Sequence, residues 1–280
     1  MITLYSIEMA TIGPVLEIPS FQPSAELPVE LCDGAAWDSE GASAEEILAW
    51  AIRKYGSSLA LSTSFQLEGM VILDMASRIS SSLRVFTLDT GRLPEETHQM
   101  IETVRTRYGI SIEMVSPDAE QVRAMVSEHG PNLFYRDVPH RMLCCHVRKT
   151  LPLERKLAEL SAYIVGLRRE QTQARSAVKK LDLTTAPAKI SPLADWTKSQ
   201  VEEYTRKHNV PMHPLYANGY TSIGCAPCTR APRHGECGER DGRWWWEQRS
   251  EKECGLHFVP SHEAQNQFGV LVSEILAPRS

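Results

Sequence analysis

Residues 59–91 read LALSTSFQLEGMVILDMASRISSSLRVFTLDTG, and this stretch decides the fold. Leu59 to Ser62 is a short apolar run of the length a buried strand needs, and Leu67 to Ile79 reads as a helix. Leu83 to Leu88 is a second strand, ending in Asp89-Thr90-Gly91. Working outward, Pro94 suits the first turn of a further helix whose apolar positions Met100, Ile101, Val104 and Tyr108 lead to a stop at Gly109. Ile110 to Val115 is a third strand, Asp118 to His129 a helix broken by Gly130-Pro131, Ala162 to Leu167 a fourth strand and Ala188 to Leu193 a fifth. Upstream, Ser43 and Glu46 form a capping box ahead of Ile47, Leu48, Ala51, Ile52 and Tyr55 on one helix face. Alternation of this kind predicts an α/β fold, a parallel sheet covered by helices, with ligands held beyond the carboxyl ends of the strands.

The 280 residues are 42% hydrophobic and 23% charged with mean hydropathy -0.28, the composition of a soluble globular chain of one or two domains. No apolar run approaches the ~20 residues of a membrane helix, so no membrane association is expected. Net charge is -5, yet residues 1–52 hold nine acids and no Lys or Arg, which leaves the rest at +4. An acidic, Pro-punctuated start is unlike a signal or transit peptide, and a cytoplasmic location is expected. A mildly cationic body without a basic stripe suits a small anionic ligand and argues against nucleic acid. Three segments are expected: an acidic arm over 1–42, an α/β body over 43–215, and an irregular segment over 216–280 rich in Gly, Cys, Arg and Trp. Repeats and low-complexity tracts are absent, and a homo-oligomer is compatible with the sequence.

Seven cysteines in a chain read as cytoplasmic point to metal or redox chemistry. Cys144-Cys145 and, about eighty residues on, Cys225-Ala-Pro-Cys228 supply four thiols in two local pairs. A C-x-x-C pair serves zinc sites and redox disulfides alike, but adjacent cysteines diverge and chelate one tetrahedral ion poorly. A four-iron four-sulfur cluster offers each cysteine its own iron corner, against the alternatives of a zinc knuckle or packed thiols. Arg141, Arg148 and Lys149 flank the first pair with the positive charge an anionic cluster favours. Cys254 stands apart, beside Gly255 and three residues before His257, with Arg240, Arg243 and Arg249 upstream; cationic neighbours favour a reactive thiolate.

Together these segments resemble the assimilatory sulfonucleotide reductases, in particular the iron-sulfur form that reduces adenosine 5′-phosphosulfate (APS). The resemblance covers most of residues 43–260 and is carried by Cys144-Cys145-His-Val-Arg-Lys149, Gly224-Cys-Ala-Pro-Cys-Thr-Arg230, Gly242-Arg-Trp-Trp-Trp-Glu247 and Glu253-Cys-Gly-Leu-His257. It implies an adenine-nucleotide alpha-hydrolase-like fold and one 4Fe-4S cluster on Cys144, Cys145, Cys225 and Cys228. It also implies catalysis by Cys254 with His257: the thiolate attacks the sulfur, AMP leaves, and thioredoxin or a similar dithiol carrier releases sulfite from the S-sulfocysteine. By position, Ser62 to Glu68 resembles the family's phosphate-side loop, with Ser62 and Ser64 as ligands and Gln66 where a glycine-containing loop is usual. The segment Leu88 to Leu93 resembles the second nucleotide loop, with Thr90, Gly91 and Arg92. Gly166 to Gln171 matches the arginine loop, with Arg168 and Arg169; five cations against one acid over 166–180 suit a phosphosulfate. Lys149, Arg168, Arg240, Arg243 and His257 are the expected charge-dispersing groups.

Rival readings are a reductase of the 3′-phosphorylated nucleotide (PAPS), an ATP-dependent adenylating or thiolating enzyme, and an iron-sulfur sensor. An adenylating enzyme would carry S-G-G-x-D-S where this chain has Ser-Thr-Ser-Phe-Gln-Leu-Glu, and a sensor has no need of Cys254. Cys32 and Cys237 match no motif and read as free thiols; Trp244 to Trp246 reads as packing for the tail or a partner surface.

Overall fold

The computed structural model describes residues 38–236, 238–247 and 262–276. Helix α1 (Ala44–Tyr55) opens at the expected box, with Glu46 N–H donating to Ser43 Oγ at 3.2 Å and Ser43 N–H to Glu46 Oε2 at 2.7 Å. It is followed by β1 (Leu59–Ser62), α2 (Leu67–Ile79), β2 (Arg84–Leu88), α3 (Glu95–Tyr108), β3 (Ile112–Val115) and α4 (Ala119–His129). Then come α5 (Val138–Cys145), a π-helical turn over His146–Thr150, α6 (Leu151–Leu157), β4 (Ala162–Val165), β5 (Leu181–Asp182), β6 (Ala188–Ile190), α7 (Lys198–Lys207) and α8 (His262–Leu276).

Among the described residues, six strands form one sheet in the order β3-β2-β1-β4-β6-β5, all parallel except β5, which pairs antiparallel with β6 at the edge. The apolar run of β1 is buried on both faces, as a central parallel strand must be. Gly109 ends α3 at φ +63°, the left-handed position glycine occupies without strain. Pro94 lies one residue outside α3 in extended backbone, so it precedes the helix instead of starting it. β4 and β6, the fourth and fifth strands read from sequence, are shorter than expected because Gly166 and Ser191 already leave the sheet, and the two-residue β5 escaped the sequence reading. Two helices escaped the sequence reading. α7 starts at a capping box, Thr197 with Gln200, and α8 lies beyond a stretch that is otherwise irregular from Tyr216 to Glu247.

The main core joins α1, α2 and α7 to one face of the sheet through Ile47, Leu48, Ile72 and Val201. A second apolar cluster is built without the sheet: Met125 of α4, Leu143 and Cys144 of α5, Val147, Cys228, Trp244 and Ile275 of α8. The cysteine segments therefore have their own small core beside the sheet's carboxyl ends.

One polar knot ties α2, α3 and α7. Asp74, 1% exposed, accepts from Tyr108 and Tyr204 hydroxyls at 3.0 Å each and from Arg78 Nε at 2.9 Å. Asp74→Ala removes the acceptor of two half-buried tyrosine hydroxyls and of Arg78, and urea unfolding is expected to show a loss of about 2–4 kcal/mol. A loss under about 0.5 kcal/mol would mean the knot is not a determinant of stability.

Candidate active site

In the strand order, β1 lies between β2 and β4, the point where the chain switches direction across the sheet and where open α/β folds hold ligands. A cavity of about 750 Å³ opens there. Ser62, Thr63 and Ser64 line it after β1, Thr90 after β2, and Gly166 and Arg168 after β4. Lys149 enters from the π-helical turn, and Gly224, Arg240 and Arg243 close it from the irregular segment.

The β1–α2 loop is tightly folded. Phe65 is fully buried at φ +56°, a strained conformation for a side chain of its size, and its N–H is held by Thr63 Oγ1 at 3.0 Å. Such packing requires two glycines: a Cβ on Gly69 would overlap Thr63 Oγ1, and one on Gly166 would stand 2.8 Å from Glu68 Cβ. Because the Gln66 side chain does not cap α2, the N–H of Leu67 takes Tyr216 Oη at 3.3 Å. The first turn of a 13-residue helix thus points its dipole at the cavity, where negative charge is favoured.

Seven of the ten expected substrate-binding residues line this cavity: Ser62, Ser64, Thr90, Lys149, Arg168, Arg240 and Arg243. The other three are placed elsewhere. Arg92 donates to Pro131 O at 2.6 Å and Asn132 Oδ1 at 3.3 Å and lies over the Phe134 ring. Arg169 donates to Val178 O at 2.8 Å and pairs with Glu40, so the two neighbouring arginines of one loop serve different partners. Gly91 sits at φ +68° in a turn, with Arg148 Nη1 within 3.3 Å of where a Cβ would stand; the Arg148 guanidinium reaches past it to Thr90 O at 2.7 Å. Cys254 and His257 lie outside the described residues, as do Cys32 and Cys237. The flanks of the Cys254 segment are placed: Glu247 pairs with the buried Arg141 of α5, and α8 packs on α4 and α5.

Arg168 is the most heavily paired group of the site. It meets Glu68 and Glu170 at 2.9 Å and Glu239 at 3.4 Å, so any anion it binds shares it with three carboxylates. Sequence reading missed these acids, since nothing local links Glu68 to a residue 100 positions away. Arg243 is 5% exposed, donates to Ile223 O at 3.1 Å and stacks over Trp244 at 4.7 Å. Arg141 and Arg240 also lie over the buried Trp244 ring, at 4.6 and 5.7 Å, and this packs the first tryptophan of the run inward. A Cβ on Gly224 would overlap the Arg243 guanidinium. Gly224→Ala therefore displaces that cation, and turnover with a phosphosulfate substrate is expected to fall roughly tenfold or more, measured as kcat/KM. Unchanged kcat/KM in that variant would show that Arg243 has no part in the site.

Cys144 and Cys145 end α5, while Cys225 and Cys228 bracket a single 3-10 turn. Among the described residues, none of the four is joined in a disulfide. Burial pushes the Cys144 thiol up, with Arg148 opposing; burial and then the neighbouring Cys225 push Cys228 up to about 12, with Arg243 and Lys149 opposing. Thr90 Oγ1 stands 3.2 Å from Cys225 Sγ. Among the described residues, no three His, Cys, Asp or Glu side chains are grouped so as to hold one metal ion.

Comparison with known proteins shows the family. Residues 58–231 match the family model described as the phosphoadenosine phosphosulfate reductase domain. Over 218 residues the chain is 46% identical to adenosine 5′-phosphosulfate reductase of Allochromatium vinosum, covering 77% of this chain and 84% of that one. It is 42% identical over 223 residues to the Pseudomonas aeruginosa protein of the same name, covering 77% and 82%. A phosphoadenylyl-sulfate reductase from Candida auris superposes with TM-score 0.57 at 27% identity, over 67% of this chain and 90% of that one. An FMN adenylyltransferase of Candida glabrata shares the fold at TM-score 0.50 and 15% identity, covering 82% and 78%. This chain belongs to the phosphoadenosine phosphosulfate reductase family.

Proposed function

We propose that the protein reduces APS to sulfite and AMP in sulfate assimilation, drawing electrons from thioredoxin or a similar dithiol carrier. One observation carries the reading: Thr90 lines the nucleotide-sized cavity and its Oγ1 stands 3.2 Å from Cys225 Sγ, so the anion site and the cysteine site adjoin. In the first step the Cys254 thiolate attacks the sulfur of the phosphosulfate, the S–O bond to the phosphate breaks, and AMP leaves with that oxygen. Arg240, Arg243 and Lys149 disperse the charge on the phosphosulfate, and His257 assists the thiolate. A carrier thiolate then attacks Cys254 Sγ, sulfite leaves with the bonding electron pair, and the second carrier thiol displaces Cys254 as the carrier disulfide forms.

Cys144, Cys145, Cys225 and Cys228 would hold one 4Fe-4S cluster. Buried donors around them fit an acceptor-rich group: Arg148 Nε, Arg243 Nε, Trp244 Nε1 and Trp246 Nε1 have no hydrogen-bond partner among the described residues. When bound, the cluster supplies negative charge and a structural tie beside the substrate, since the two-electron thiol reaction needs no one-electron carrier. In this reading residues 43–215 form the nucleotide-binding body, 216–280 carry the second cysteine pair and the catalytic tail, and the protein works in the cytoplasm. No helix among the described residues is long and apolar enough to cross a membrane.

The test is sulfite release by anaerobically purified protein with reduced thioredoxin, comparing initial rates on APS and PAPS. APS is expected to be the better substrate. Equal or faster turnover of PAPS would assign the chain to the 3′-phosphorylated nucleotide.

A further inference from the structure

The Gln66 side chain occupies the N-cap position of α2 but makes no cap bond there. Its amide Nε2 donates to Ser64 Oγ at 2.9 Å, and its Oε1 accepts the N–H of Ile223, 157 residues away, at 2.8 Å. Ile223 O in turn accepts Arg243 Nη1 at 3.1 Å. Ile223 is thus held through both of its backbone polar groups, by the loop after β1 on one side and by the cavity cation on the other. Gly224 follows directly, and a glycine offers little resistance of its own to backbone rotation. Without the Gln66 contact, the Ile223 N–H loses its partner and Arg243 becomes the remaining tie on the Ile223 backbone, so Arg243 would be positioned by a less firmly held residue. Next in the chain is Cys225, which has anchors of its own in Thr90 Oγ1 at 3.2 Å and, one residue on, in the Ala226 N–H donating to Arg92 O at 2.8 Å.

We infer that Gln66 is a positioning residue: it fixes Ile223 and, through Ile223, sets the Arg243 guanidinium against the substrate cavity and the Cys225 segment. Its importance for turnover rests on the proposed APS reduction, whereas the link itself does not. Gln66 also lines the cavity, so a direct contact with substrate is the competing role, and the two roles separate in a double-mutant cycle.

The experiment uses anaerobically purified holoenzyme as wild type, Gln66→Met, Gln66→Asn, Arg243→Ala and the Gln66→Met/Arg243→Ala pair. Asparagine is a favourable N-cap yet one methylene too short to reach Ile223, so this variant keeps the helix start if methionine disturbs folding. Both single Gln66 variants are expected to lose about five- to tenfold in kcat/KM with APS, the consequence of one lost hydrogen bond acting through a charged group. In the Arg243→Ala background, Gln66→Met should cost less than about twofold, because the residue it positions is gone. A Gln66 variant at wild-type efficiency, or the same loss repeated in the Arg243→Ala background, would overturn the inference. Amide hydrogen exchange of the peptide spanning residues 217–228 tests the link without activity. Gln66→Met should raise exchange at Ile223 about fivefold, and unchanged exchange would overturn the link. Absence of APS reduction by the wild type would remove the proposed function and leave the exchange result to decide the link alone.

Discussion

Cys254→Ser is expected to abolish sulfite release while leaving iron content and AMP binding at wild-type levels. Serine keeps the size of the side chain but not its acidity, and a hydroxyl with almost no ionised form at neutral pH does not attack the phosphosulfate sulfur. Loss of the nucleophile removes the covalent pathway, so the expected effect is a fall in kcat by several orders of magnitude, not a shift in KM. Sequence places Cys254 apart from the four paired cysteines, between Glu247 and α8, both of which are anchored on α5. In the proposed reaction the Cys254 thiol must meet the substrate and then a bulky carrier, which calls for a conformational step between the two. If the serine variant also lost its iron, Cys254 would be a structural thiol and the division of labour would be wrong.

The second large effect is expected at Cys228. Its thiol lies in the small apolar core with Cys144, Trp244 and Ile275, where burial pushes it up to about 12, so as a lone thiol it stays protonated at neutral pH. A coordinating metal deprotonates such a thiol outright, and the energy of binding is then part of the energy of folding. Cys228→Ser should therefore lose the brown colour, drop from about four irons per chain towards none, and unfold at lower temperature, whereas Cys254→Ser should do none of these. Iron and sulfide analysis of both variants beside the wild type measures the contrast. Stoichiometric zinc without sulfide in the wild type would remove the cluster from the account.

Much of the fold was legible because its signals are local. The Ser43–Glu46 box and Gly109 after α3 each act within one turn, and both stand where the sequence puts them, while Asp118, read as the first residue of its helix, caps α4 instead. α7 was equally readable from Thr197 and Gln200, but its buried side is only Val201 and Thr205, too thin an apolar stripe to register by periodicity. Phe268, Leu271, Val272 and Ile275 mark α8 at helical spacing; the Gly- and Trp-rich segment before it masked the pattern. At the site, residue types were readable and directions were not. Arg168 and Arg169 are neighbours, yet one faces the cavity because Glu68, Glu170 and Glu239 hold it there, and the other is drawn off by Glu40, 129 residues upstream. Gln66 looked like a departure from a glycine loop; its partner, Ile223, is unreachable by any local rule.

The most direct measurement of the central claim is the mass of the C-terminal peptide after wild-type protein is mixed with APS in the absence of any reductant. The account predicts one added sulfo group on Cys254, AMP released in equal amount, and loss of the adduct with appearance of sulfite when reduced thioredoxin is supplied. AMP and sulfite formed with Cys254 unmodified, or an adduct on Cys144, Cys145, Cys225 or Cys228 instead, would contradict it.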